Sequence, residues 1–267
     1  MTNEPKIDEF KILDYVKQTA VKAGDILKRF FYSSNSDFEE KGISDWVSEA
    51  DKKSEETIIE LLEDKIHADF IGEELGEKRR GSEFVWYIDP LDGTKNFVRR
   101  IPFFCVSIGL AYKNELILGV VFSPIDERMF WAIKGKGAYM NGNPIKTSQE
   151  GELRRCIIAT GLPYRSKDYI DKHLMFYKDI FLKGVGIRHI GSAALEMCYV
   201  ANGSIDGYWE IGLSPWDMAA GALIVKEAQG IVSDIWGGDK FLETGCIICS
   251  NRAIYNEILK IAKQLFL

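Results

Sequence analysis

Apolar residues at Leu13, Val16, Ala20, Ala23, Leu27 and Phe30 recur every three or four positions, which predicts an amphipathic helix over residues 7–31. A second helix is expected over residues 48–66, burying Ile58, Leu61, Leu62 and Ile66. Ser48 and Asp51 have the spacing of a capping box, so Asp51 reads first as part of a helix start. The intervening residues 33–45 are polar, headed by Ser33-Ser34-Asn35-Ser36, and read as a mobile loop. The period then changes. Short apolar and β-branched runs at 70–72, 84–88, 104–110, 115–122, 129–133 and 138–140 predict successive strands, and Asn141-Gly142 marks a hairpin turn.

Around residues 147–154 the composition turns polar, and beyond it strands alternate with helices. Strands are expected at 156–160, 205–209, 231–233 and 247–249, and helices at 167–181, 192–201, 216–228 and 252–266. The expected fold is mixed α/β, a layered α-β-α-β-α sandwich. A half spanning 1–150, with two helices and a mostly antiparallel sheet, precedes an α/β half spanning 151–267. Hydrophobic residues make up 46% and charged residues 28% of the 267, enough apolar material for a large core.

A net charge of -6 argues against nucleic-acid binding as the main task, and the bare protein field would repel a phosphate ester unless a bound cation reversed it locally. No apolar run is long enough to span a bilayer, and the first six residues lack a signal-peptide pattern, so a cytoplasmic location is expected. The odd number of cysteines, five, does not resemble a secreted disulfide framework. Cys246-Ile-Ile-Cys249 has C-x-x-C spacing but lies in an apolar run, and is read as structural.

Acidic residues interrupt this pattern where elements end or begin. The strand over 84–88 runs into Asp89-Pro90-Leu91-Asp92-Gly93-Thr94, Glu73-Glu74 follows the strand at 70–72, and Asp217 stands in the first turn of a helix. Pro90 and Gly93 make the first of these a stiff turn that aims two carboxylates at one region. Such like charges require a proton or a cation between them. Oxygen-only ligands suit a hard cation, Mg²⁺ above all, and a carboxylate cluster can hold ions roughly 3.5 to 4 Å apart for phosphoryl transfer. Gly93 and Thr94 would add backbone donors for phosphate oxygens. No G-x-x-x-x-G-K-[ST] loop is present.

The stretch Asp89-Pro-Leu-Asp-Gly-Thr-Lys-Asn-Phe, with Gly72-Glu-Glu before it and Trp216-Asp-Met-Ala-Ala-Gly and Glu227-Ala-Gln-Gly after it, resembles the inositol monophosphatase family over essentially the whole chain. The resemblance implies a Mg²⁺-dependent phosphomonoesterase holding two or three ions, and a homodimer. It implies metal ligation by Glu73, Asp89, Asp92, Asp217 and the backbone oxygen of Leu91. Thr94 would position the attacking water, Asp51 would accept from the Thr94 hydroxyl, and Glu74 would lie nearby as a further acid. Gly191, Ser192, Ala193 and Glu210 would contact sugar or inositol hydroxyls, with Gly93, Thr94 and Asp217 completing the substrate site. The segment 38–45, with Lys41, would complete a metal site.

Inositol 1-phosphate is the expected substrate, with activity on fructose 1,6-bisphosphate or an added regulatory binding role as alternatives. A bisphosphate needs a second cationic contact, for which Arg165 and Arg188 are candidates. Gln229 stands where the family usually has glycine, and Lys95 is a permitted variation in the turn.

Overall fold

A computed structural model of the chain describes residues 7–32, 38–41 and 45–267, with side chains described outside 33–48. In chain order the elements are α1 (Glu9–Tyr32), β1 (Phe38–Lys41), β2 (Asp45–Ser48), α2 (Glu49–Leu62), β3 (Asp69–Gly72), β4 (Glu77–Lys78), β5 (Phe84–Asp92) and α3 (Thr94–Val98). Then come β6 (Cys105–Tyr112), β7 (Glu115–Ser123), β8 (Arg128–Ile133), β9 (Ala138–Met140), β10 (Asn143–Ile145), β11 (Ile157–Thr160), α4 (Ile170–Leu182), β12 (Gly186–Arg188) and α5 (Ala193–Ala201). The chain closes with β13 (Gly207–Ile211), α6 (Pro215–Glu227), β14 (Ile231–Ser233), α7 (Phe241–Thr244), β15 (Cys246–Ser250) and α8 (Tyr255–Phe266).

The larger sheet has the order β10-β9-β8-β7-β6-β5-β3-β4 and the smaller one β12-β11-β13-β15-β14. Side-chain clusters show the layering expected from the sequence. The apolar face of α1, through Leu13, Val16, Ala20, Ala23 and Leu27, packs with Ile58 and Leu62 of α2 on one side of the large sheet. Helices α5 and α6 fill the space between the sheets. Phe176 and Ile180 of α4 and Ile258 and Ile261 of α8 cover the outer face of the small sheet. Phe31, rather than Phe30, is the buried aromatic at the end of α1.

Helix α6 shows why one signature reads Trp216-Asp-Met-Ala-Ala-Gly. Lying between two sheets, it is buried all round from Asp217 to Val225, so no polar stripe survives. Its small residues let backbones approach closely: a β-carbon at Gly119 would come within 2.8 Å of the Ala220 carbonyl oxygen. The C-x-x-C pair lies on opposite faces of β15, with Cys249 in the central core and Cys246 in the outer one. Both thiols are free, and burial raises the Cys246 pKa to about 11, consistent with a structural role.

The segment 33–45, expected as a loop, contains β1, which pairs antiparallel with β2 from Phe38↔Ser48 to Lys41↔Asp45. The side chain of Lys41 and that of Ser48, the expected helix cap, lie outside the described residues, as do residues 33–37 and 42–44. The Asn141-Gly142 turn is formed, with φ of 49° and 82° between paired strands β9 and β10.

Gln229 follows α6 with φ of 71°, the left-handed conformation in which helices commonly end on glycine. Its side chain is exposed, and Arg252 Nε donates to its backbone oxygen, a contact that glycine would keep. Gln229→Gly should therefore stabilise the fold by about 0.5–1 kcal/mol, net of glycine's greater freedom in the unfolded chain. That corresponds to a rise of about 1–4 °C in melting temperature for a chain of this size. Paired thermal melts check it, and a lower melting temperature in the variant would remove strain as the relevant effect.

Candidate active site

The acids converge because of sheet register. β3 runs parallel to β5 with Gly72 opposite Ile88, so Glu73, one residue on, arrives beside Asp89, and its backbone N–H bonds Ile88 O at 3.3 Å. β5 pairs antiparallel with β6, but the register slips between Asp89↔Ser107 and Asp92↔Cys105. Three residues advance on one strand against two on the other, a bulge that accommodates Pro90 and re-aims the two acids. The backbone N–H of Leu91 donates to Asp89 Oδ1 at 3.0 Å and closes the turn. Gly93 follows at φ 96°, which disfavours a side chain and frees α3 to start at Thr94.

From the other half of the chain, α6 presents Asp217 in its first turn, where Oδ2 accepts from Ser214 N at 2.7 Å. One carboxylate oxygen from each of Glu73, Asp89 and Asp217 lies within 4.8 Å of the others. Asp89 and Asp217 are buried, and Glu73 is one-fifth exposed. Burial raises all three pKa values: Glu73 to about 8 and Asp89 well above the usual range, both with help from neighbouring acids, and Asp217 upward against the pull of Arg165 and of its hydrogen-bond donors. Such a cluster of hard oxygen ligands could hold a metal ion.

Asp92 is used differently. Its carboxylate accepts from Ser192 Oγ at 2.6 Å, Ala194 N at 2.7 Å and Ala193 N at 3.3 Å, which anchors the start of α5. Burial still lifts its pKa to about 6, against these donors. Gly191, Ser192, Ala193 and Glu210 line the same cavity of about 790 Å³ as Glu73, Asp89, Leu91, Asp92, Gly93, Thr94 and Asp217. The Tyr208 hydroxyl donates to Glu210 Oε2, and burial pushes the Glu210 pKa up to about 8. A β-carbon at Gly161 would sit 2.1 Å from that carboxyl, so a side chain there would push Glu210 out of this position.

The Thr94 hydroxyl donates to Leu91 O at 3.0 Å, one turn back, and not to Asp51 as expected. Asp51 is fully buried on α2, where its charge helps to raise Asp89. The Glu74 backbone N–H bonds Glu55 Oε2 at 2.7 Å. Of the two arginines considered, Arg165 lines the cavity, whereas Arg188 is exposed on edge strand β12 and bonds Ile187 O. Glu227 lies away from the cavity and holds the β8–β9 hairpin through Gly135 N and Gly137 N.

Sequence reasoning missed the supports of this site. Ser54 Oγ donates to Pro90 O at 3.1 Å, and Glu55 accepts from Glu74 N and from Leu75 N at 3.2 Å, so α2 fixes both acidic turns. The available signal was polar Asp51, Ser54 and Glu55 in the helical stripe that also carries core residue Ile58. Asn96 Nδ2 donates to Phe103 O at 2.9 Å and Ile190 O at 2.8 Å, tying α3 to the loop that carries Ser192.

Comparison with known proteins accords with this geometry. The profile described as "Inositol monophosphatase family" matches residues 8–266. The chain is 40% identical over 257 residues, 95% of it and 96% of the relative, to a protein named fructose-1,6-bisphosphatase/inositol-1-monophosphatase in Aquifex aeolicus. It is 41% identical over 227 residues, 82% of it and 83% of the relative, to one named Nus factor SuhB in Pseudomonas aeruginosa. A crystal structure of extragenic suppressor protein suhB from Bartonella henselae superposes with a TM-score of 0.91 at 37% identity, covering 95% of this chain and 99% of that one.

Proposed function

The chain belongs to the inositol monophosphatase family of phosphomonoesterases, and from that premise we propose that it is a Mg²⁺-dependent phosphatase acting on inositol 1-phosphate. The observation that carries the reading is the convergence of Glu73, Asp89 and Asp217 from three separate stretches onto one set of oxygen ligands. Their burial with raised pKa values marks a site whose charge is incomplete without a cation, and the all-oxygen donor set fits Mg²⁺. These three acids would hold the metal, with Asp92 and the Leu91 carbonyl oxygen completing the set. Bound there, Mg²⁺ would supply Lewis-acid and water-activating chemistry at the phosphate.

The protein's own groups have distinct tasks in this reading. Thr94, pinned through Leu91, orients the water that attacks phosphorus, and the Gly93 and Thr94 backbone N–H groups face the phosphate oxygens. Asp51 and Glu74 serve as supporting acids behind them. Glu210, fixed by Tyr208, accepts from vicinal hydroxyls, while Ser192, Ala193 and Asp217 border the ring. The cavity, at about 790 Å³, exceeds the needs of a single inositol ring, and Lys95, Tyr164 and Arg165 also line it. That excess, with the dual name of the Aquifex relative, favours fructose 1,6-bisphosphate as a second substrate.

Phosphate release from the two esters, with Mg²⁺ and with a chelator, tests the proposal. Inositol 1-phosphate should show the higher kcat/KM, and the chelator should abolish both activities. Failure to release phosphate from either ester with Mg²⁺ present would overturn it.

A further inference from the structure

The loop after β11 reaches into the acid cluster. Arg165 donates from Nη1 to Asp217 Oδ2 at 3.0 Å and from Nη2 to Glu73 Oε1 at 3.2 Å. One guanidinium thus joins an acid from each half of the chain, and Asp89, the third acid, lies within the same cluster. The Arg165 side chain is 37% exposed on the cavity wall, so moving it leaves the core undisturbed. A dication bound through the oxygens that Arg165 holds, Asp217 Oδ2 and Glu73 Oε1, would displace it. The displaced guanidinium stays on a side chain that lines the same cavity as Gly93 and Thr94, the donors assigned to phosphate. Its planar fork is well suited to two oxygens of a phosphate.

We propose that Arg165 is the internal counter-cation of the acid cluster, exchanged for metal on loading and transferred to the substrate's phosphate. This rests on the phosphatase reading above. It makes opposite demands on one residue, which binding measurements can separate without turnover. Mn²⁺ serves as a spin-active probe of the metal site, titrated into chelator-treated and dialysed protein and followed by electron paramagnetic resonance. Inorganic phosphate is then titrated calorimetrically into the Mn²⁺-saturated protein.

Arg165→Gln should bind Mn²⁺ about ten-fold more tightly and phosphate about ten-fold more weakly, the scale set by losing charge-assisted hydrogen bonds. Arg165→Lys should fall between wild type and Gln in both measurements, since a single ammonium can engage fewer oxygens at once. Unchanged or weaker Mn²⁺ binding in the Gln variant would overturn the counter-cation role, and unchanged phosphate binding would overturn the transfer. Failure of the phosphatase reading itself would appear in the wild type, as absence of both Mn²⁺ and phosphate binding.

Discussion

Asp89→Asn should lower kcat/KM about 1,000-fold or more while raising the melting temperature of the chelator-treated protein. The first effect follows from position. Asp89 clusters with Glu73 and Asp217, and it is the acid on which burial and the charges of Glu73, Asp92, Asp217 and Asp51 all weigh. Asparagine keeps the oxygen that accepts from Leu91 N, so the turn survives while a charged metal ligand is lost. Removing one electrostatic group from an active site costs on the order of 10²–10³ in rate, and loss of a charged metal ligand would add to that. The second effect has the opposite sign: without a cation, a buried carboxylate among like charges is a burden, and its amide isostere relieves it. Steady-state kinetics with saturating Mg²⁺ and melts in chelator check the two halves. Near-native activity in the variant would remove Asp89 from the metal site.

Much of this architecture was legible because its signals are local. The helical period of α1, the Asn141-Gly142 turn and the strand leading into Asp89-Pro90-Leu91-Asp92-Gly93-Thr94 each lie within a few residues. Asp217 stood out by its place in a helix's first turn, and the resemblance assigned it to the same metal site as the distant Glu73 and Asp89. What the sequence withheld depends on contacts between remote segments. Nothing near Asp92 announces that its oxygens meet the start of α5, about a hundred residues later, or that a slip in strand pairing turns it there. Thr94 has one hydroxyl hydrogen, and the turn geometry that directs it to Leu91 is set by the bulge and by Ser54 on α2. Glu227 looked like part of a functional signature because sequence patterns do not separate a carboxylate that holds a hairpin from one that meets a substrate. The ion pairs of Arg165 join positions 73, 165 and 217, a separation no periodicity spans.

Magnesium should stabilise the fold far more at pH 8.5 than at pH 5.5. Burial raises the folded-state pKa of Asp92 to about 6 and of Glu73 to about 8, with Asp89 and Asp217 also raised. A carboxyl group whose folded pKa exceeds its unfolded value near 4 favours the fold while protonated. That contribution is fully present below about pH 4 and is lost as pH rises through about 6 and then about 8. Chelator-treated protein should therefore lose melting temperature between pH 5.5 and 8.5. Bound Mg²⁺ requires the acids ionised and neutralises their repulsion, so its stabilisation should grow over the same interval. At about 100 times its dissociation constant a cation adds about 2.7 kcal/mol, or about 5–10 °C here. His173 pulls the other way at acid pH: burial lowers its pKa to about 4, so it withdraws stability as pH falls below about 6.5. It lies on α4, in the outer layer, and affects both preparations equally, so subtracting the melting curves isolates the acids. A Mg²⁺-induced shift of the same size at both pH values would mean that the cation does not bind through Glu73, Asp89 and Asp217.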